Sequence, residues 1–144
     1  MEKLDFRGTR TIRLLRCLVE AHDWFFEHAE PEIRSYGLGV REFDCLVNLG
    51  VAQPLRMCDL AQRTLSTKSH VTQVVKALES RGLMHRERSR ENEREVYVTL
   101  TDEGQQLFER VYPVHYQFLQ KLFDGKLSPE EQRELTELLC KLRG

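Results

Sequence analysis

No apolar run in this 144-residue chain approaches the roughly 18 residues that a membrane span requires. Its opening, MEKLDFRGTR, is charged and lacks the apolar core of a secretory signal, so a cytoplasmic protein with no membrane partner is expected. The four cysteines, Cys17, Cys45, Cys58 and Cys140, form no CxxC pair. A disulfide framework is therefore not expected, and most of them should be small buried hydrophobes. There is no phosphate-binding loop, no nucleophile motif and no pair of catalytic carboxylates, which argues against an enzyme. His22, Glu27 and His28 are the nearest approach to a ligand cluster. The two histidines lie on different sides of a helix, so neither metal nor cofactor is expected; His22 in the core and His28 exposed is the simpler reading. Internal repeats and low-complexity segments are also lacking.

What is present is an uneven distribution of charge. The net charge is only −1, but residues 56–95 hold nine Lys/Arg against six Asp/Glu, a local +3, and the remainder carries −4. A basic middle between acidic flanks points to an anionic partner held by the middle.

Apolar spacing predicts a helix over about 9–30, with Leu15, Leu18, His22, Phe25, Phe26 and Ala29 near one stripe and Pro31 at its end. A shorter helix covers about 41–49 before Gly50. Pro54 bars a regular central strand in VAQPL. Further helices are expected at 56–63, with Met57, Leu60 and Ala61 inward, and at about 68–80. In the latter, Val71, Val74, Val75 and Leu78 make the buried stripe, Thr67 or Ser66 the cap, and Gly82 the left-handed stop. LMHRERS and EVYVTLT read as two strands joined by a charged tip, with Val96, Val98 and Leu100 on one face. Thr101 caps a long helix that reaches about Phe123 and contains Pro113. SPEE opens the last helix as a capping box, with Leu135, Leu138, Leu139 and Leu142 on one side. The fold class is mainly α with a small β-hairpin, a winged helix-turn-helix with terminal helices.

The helix at 68–80 is unusual in its polar face. Ser69, Thr72, Gln73 and Lys76 form it, and it has no carboxylate. In a helix-turn-helix the second helix enters the major groove of DNA. An acid there repels phosphate, whereas short hydroxyls and amides can approach bases and phosphates closely. Ser66, Thr67, Lys68 and His70 lie at the start of this helix, where unpaired backbone N–H groups favour phosphate. Arg88, Arg90 and Arg94, in or beside the hairpin tip, supply a second contact suited to the negative potential of a narrow minor groove.

The run MCDLAQRTLSTKSHVTQVVKALESRGLMHRERSRENEREVYVTLTDEG resembles the MarR family of bacterial transcription regulators. The DLAQRT helix, VTQVVKALESRGL, the charged wing and VYVTLTDEG follow in the family's order. With the terminal helices, the resemblance covers nearly the whole chain. It implies a homodimer formed by interleaved terminal helices, here 1–40 and 102–144, and a DNA-binding lobe at 41–101. It implies double-stranded DNA as partner, a palindromic operator, and a regulator that is most often a repressor. The apolar stripes of the terminal helices, too extensive for one small winged domain to cover, agree. The family's wing usually carries Asp-x-Arg; here Asn92, Glu93 and Arg94 occupy those positions. With Glu91, Glu93 and Glu95 around Arg94, this wing is expected to contribute less than is usual.

The resemblance also implies release of DNA by a small anionic aromatic effector or by oxidation of a cysteine. Cys17, preceded by Arg13 and Arg16, is the redox candidate, although its place between Leu14 and Leu18 suits a core residue equally. Trp24, Phe25, Phe26, Tyr36, Tyr112, His115 and Tyr116 could line an aromatic pocket or simply pack. The alternative for the whole molecule is a winged-helix module that contacts protein and never DNA. The acids of the wing favour that alternative, and the lack of exposed aromatics on the helix face opposes it.

Overall fold

A computed structural model describes residues 8–64 and 66–144. The first seven residues of the terminal segment and Leu65 of the turn lie outside them. The elements are α1 (Arg10–Arg34), α2 (Val40–Ala52), β1 (Leu55–Arg56), α3 (Met57–Arg63), α4 (Lys68–Ser80), β2 (Met84–Arg88), β3 (Val96–Leu100), α5 (Asp102–Asp124) and α6 (Pro129–Arg143). The chain divides into two compact units, residues 1–43 and 44–144.

In the first unit α1 runs past Pro31, contrary to the expected stop. A proline inside a helix forfeits one backbone bond, but Ala29 and Ile33 on either side of it are buried and hold the turn. The helix ends where Gly37, at φ 79°, donates its N–H to the Arg34 carbonyl. Tyr36 stacks on Phe43 at 6.0 Å between ring centroids and donates its hydroxyl to Glu32. That bond and burial hold the phenol well above its ordinary pKa, burial being the larger cause. His22 is exposed rather than in the core. It lies over Phe26 at 4.7 Å and contacts Asp23 at 3.2 Å, while exposed His28 bonds the Trp24 carbonyl oxygen.

The second unit is built around Leu46, Leu49, Leu60, Val71, Val75, Leu78, Met84 and Val98, all fully buried. Val74 is only half-buried. Helix α2 extends through Gly50 instead of stopping before it. The Phe108 ring lies where a Cβ on Gly50 would stand, 2.3 Å away, so this glycine serves close packing and not a cap. The hairpin acquires a third strand, giving an antiparallel sheet of order β1-β3-β2. Pro54 thus sits next to an edge strand, where its missing N–H costs no ladder bond. Leu55 pairs with Val98, and Arg86 also faces Val98 from the other side.

The joint between sheet and α5 is tight. Thr101 accepts from the Gly104 N–H at 3.1 Å and donates its hydroxyl to the Gly82 carbonyl at 2.6 Å. Gly82 has φ 75°, and a Cβ on Gly104 would lie 2.0 Å from the Leu83 carbonyl oxygen. Helix α5 continues through Pro113 to Asp124, and α6 opens on the expected box, with Ser128 and Glu131 bonding each other's backbone N–H at 3.2 and 3.0 Å. Of the cysteines only Cys45 is buried; Cys17, Cys58 and Cys140 are exposed, against the expectation that most would be core. Among the described residues no helix is long and apolar enough to cross a membrane.

Candidate nucleic-acid interface

Helices α3 and α4 are joined by a turn with no slack. Buried Thr64 donates its hydroxyl to the Leu60 carbonyl at 2.8 Å, and the Ser66 N–H reaches the Ala61 carbonyl at 3.0 Å. Thr67, not Ser66, then caps α4, accepting from the His70 N–H at 3.2 Å. This cap uses one of the orphan N–H groups of the first turn, which contains no acid. Val71, Val75 and Leu78 bury the opposite face. Lys68, Ser69, His70, Gln73 and Lys76 are exposed as a consequence, and Thr72 is half-exposed. The Thr72 hydroxyl donates to the Lys68 carbonyl at 2.7 Å, so its hydrogen is committed to its own helix.

The wing is shaped by its short polar side chains. Ser89 Oγ accepts from the N–H groups of Glu91 and Asn92 at 3.2 and 3.3 Å, and Asn92 Oδ1 accepts from the Arg94 N–H at 3.1 Å. Asn92 thus makes the turn that an aspartate makes, without its charge. Three ion pairs, centred on two arginines, fasten the wing to the helices. Glu79 on α4 holds Arg86 of β2 through two guanidinium bonds, 3.0 and 3.2 Å, and accepts the Arg86 N–H. Arg56 grips Asp59 of α3 bidentately at 2.8 and 3.2 Å and extends its remaining nitrogen to Glu95 at 3.2 Å. The hydrogen bonds from Arg56 and Arg86 hold the carboxyls of Asp59 and Glu79 below the usual carboxylate range.

Five of the side chains singled out in the sequence line one of two clefts, and Ser66, Thr67, Ser69, His70, Gln73 and Lys76 line neither. A cleft of about 310 Å³ is lined by Lys68, Thr72 and Arg94 together with Arg56, Arg86 and Glu95, so the start of α4 and the wing share one surface. Arg88 and Arg90 line a different cleft, of about 330 Å³, with Pro54, Glu87 and Tyr97. Among the described residues no carboxylate pairs with Lys68, Lys76 or Arg94. Sequence reasoning did not single out Arg56. Its i,i+3 spacing to Asp59 was a visible signal, whereas Glu95 lies 39 residues away. Cys17 is exposed, and Arg16 pairs with Glu20 at 3.4 Å. Of the aromatic rings proposed for a pocket, Phe25 meets Phe26 at 5.2 Å and His115 meets Phe118 at 6.2 Å on their own helices, whereas Tyr36, beyond the end of α1, stacks on Phe43 of α2.

A capped second helix with no acid in its first turn or on its Ser69–Lys76 face, beside a three-stranded wing, defines a winged helix-turn-helix. Residues 38–96 match the model of the MarR family. Over 132 residues the chain is 33% identical to YkoM, an uncharacterized HTH-type transcriptional regulator of Bacillus subtilis, covering 92% of this chain and 85% of that one. The MarR-family regulator Sco3205 of Streptomyces coelicolor, solved in complex with DNA, superposes with a TM-score of 0.85 at 27% identity, over 94% of this chain and 87% of that one. BpsR of Bordetella bronchiseptica, whose DNA binding is regulated by 6-hydroxynicotinic acid, superposes at 0.82 with 26% identity, over 92% and 99%. The chain belongs to the MarR family of transcriptional regulators, which are not enzymes.

Proposed function

We propose that this regulator is a sequence-specific binder of double-stranded DNA, a repressor that reads a palindromic operator as a homodimer. The observation that carries the reading is the exposed face of α4, capped at Thr67, free of acid and continuous through the Lys68–Thr72 cleft with Arg94. Ser66, Thr67, Lys68 and His70 meet phosphates at the helix start; Ser69, Thr72, Gln73 and Lys76 face base edges and the flanking backbone. Arg94 is the wing's contact, with Arg88 and Arg90 more peripheral. The DNA complex of Sco3205 supports this reading, and a cytoplasmic location follows from it.

Residues 41–101 act as the DNA-reading lobe, and 1–40 with 102–144 pair with a second copy. In the single chain Leu14, Leu15, Leu18 and Val19 of α1 are 43–59% exposed. Leu135, Leu138, Leu139 and Leu142 of α6 are 38–65% exposed. Stripes of this kind call for a covering partner, and a two-fold dimer matches two half-sites one helical turn apart. By analogy with BpsR, a small aromatic acid is the proposed releasing effector. Oxidation of Cys17 is the second trigger, supported by its exposure alone; peroxide treatment that affects wild type and Cys17→Ser alike removes it.

The test is fluorescence anisotropy on a duplex selected from random sequence by the protein, against its shuffled counterpart, across a salt series. Specific binding with a steep salt slope is expected. Equal, weak binding to both duplexes, with no duplex enriched, favours the protein-interaction module that the exposed acids Glu91 and Glu93 suit.

A further inference from the structure

The sequence places Glu95 directly after Arg94, where an acid should oppose phosphate. The structure gives it another occupation. Its carboxylate accepts from Arg56, which is locked by two further bonds to Asp59 at the start of α3. The Glu95 N–H also donates to the Asn92 carbonyl at 3.0 Å, and its own carbonyl accepts from the Ser89 N–H at 2.9 Å. The strand-side end of the wing loop is therefore tied at one residue, both to the tip and to the helix-turn-helix. Arg94, its neighbour, has no carboxylate partner among the described residues and lines the same cleft as Lys68 and Thr72.

We infer that Glu95 and Arg56 are positioning residues for DNA binding: their ion pair orients the wing so that Arg94 stays free of acid and on the same surface as the start of α4. The inference deepens the DNA-binding reading and rests on it. It reverses the sign expected of an acid beside a nucleic acid. A carboxylate that merely faces phosphate weakens binding, and its removal strengthens it. A carboxylate that positions Arg94 strengthens binding, and its removal weakens it. Arg56 acts through Glu95, with Asp59 as its anchor, so its guanidinium is engaged by carboxylates rather than by phosphate.

The experiment measures affinity for the selected duplex by anisotropy, across salt, for wild type, Glu95→Gln, Arg94→Ala and the double variant, with thermal unfolding of each as a check on folding. Glu95→Gln is expected to weaken binding about fivefold and to lower the salt slope by about the share of one contact. On the Arg94→Ala background the same change is expected to have no effect, because the residue being positioned is gone. Tighter or unchanged binding by Glu95→Gln overturns the inference and leaves the DNA-binding reading intact. An equal loss with and without Arg94 also overturns it, by making Glu95 a general structural element. If wild type enriches no duplex, the DNA-binding reading fails and this inference fails with it.

Discussion

The exposed face of α4 and the wing are both polar and both reach one cleft, yet they are built on opposite plans. On α4 the polar face is left unpaired: Lys68 and Lys76 have no acidic partner among the described residues, and the first turn has no carboxylate. In the wing, cations and acids alternate, and the identity of each cation's partner decides its role. Arg86 and Arg56 are consumed by Glu79 and by Asp59 and Glu95, whereas Arg94 is not. Counting charges therefore describes α4 well and the wing poorly. A wing tip with three glutamates loses one to an internal tie, leaving Glu91 and Glu93 exposed.

The strongest way to break this contrast is to give α4 what it lacks. Gln73→Glu places a carboxylate on the acid-free face and is expected to cost about 100-fold or more in DNA affinity at low salt, read by anisotropy. The joint beneath both regions comes next. Gly104→Ala drives a Cβ to within 2.0 Å of the Leu83 carbonyl oxygen, and thermal unfolding should report a loss of about 2 kcal/mol or more. Within the wing, Arg94→Ala is expected to weaken binding roughly fivefold, and Arg88→Ala or Arg90→Ala less than about twofold, since those two line the other cleft. Thr67→Ala removes the α4 cap and should lower stability by about 1 kcal/mol, with denaturant unfolding as the measure.

Acid offers the smallest and most diagnostic effect. The carboxyls of Asp59 and Glu79 are held below their ordinary range by Arg56 and Arg86. A depressed carboxyl contributes its stability above the unfolded-state pKa, about 4, and loses it as pH falls through the lower folded-state value. The ties between wing and helices should thus be intact at neutral pH and weaken below about pH 4, with Glu79→Gln flattening that loss in a pH series of unfolding midpoints.

Much of α4 was legible before the structure. The valine spacing, a hydroxyl at the cap and a left-handed glycine two residues past the end place it at 68–80, as observed. The box at Ser128 and Glu131 was equally local. What escaped depends on distant partners. Pro31 read as a stop because proline forfeits a helical bond, but buried Ala29 and Ile33 outweigh that loss. Gly50 read as a cap because the Phe108 ring that needs its bare Cα lies 58 positions later in the chain. The strand at Leu55 exists only because β3 offers it a partner. Glu95 read as repulsive because Arg56, which engages it, sits 39 positions away. The cysteines read as core because a thiol is usually buried, yet Cys17 and Cys140 lie on helices whose apolar stripes are uncovered in the single chain.

The central claim is that geometry and pairing, rather than net charge, make the α4 face the principal DNA contact. A charge-matched comparison tests it most directly: the affinity and salt slope of Lys68→Ala/Lys76→Ala against Arg88→Ala/Arg90→Ala on the selected duplex. Each variant removes two positive charges. The account predicts a loss of about 30-fold, with a slope reduced by about two contacts, for the α4 pair, and less than about threefold for the wing pair. Equal losses from the two variants would contradict it.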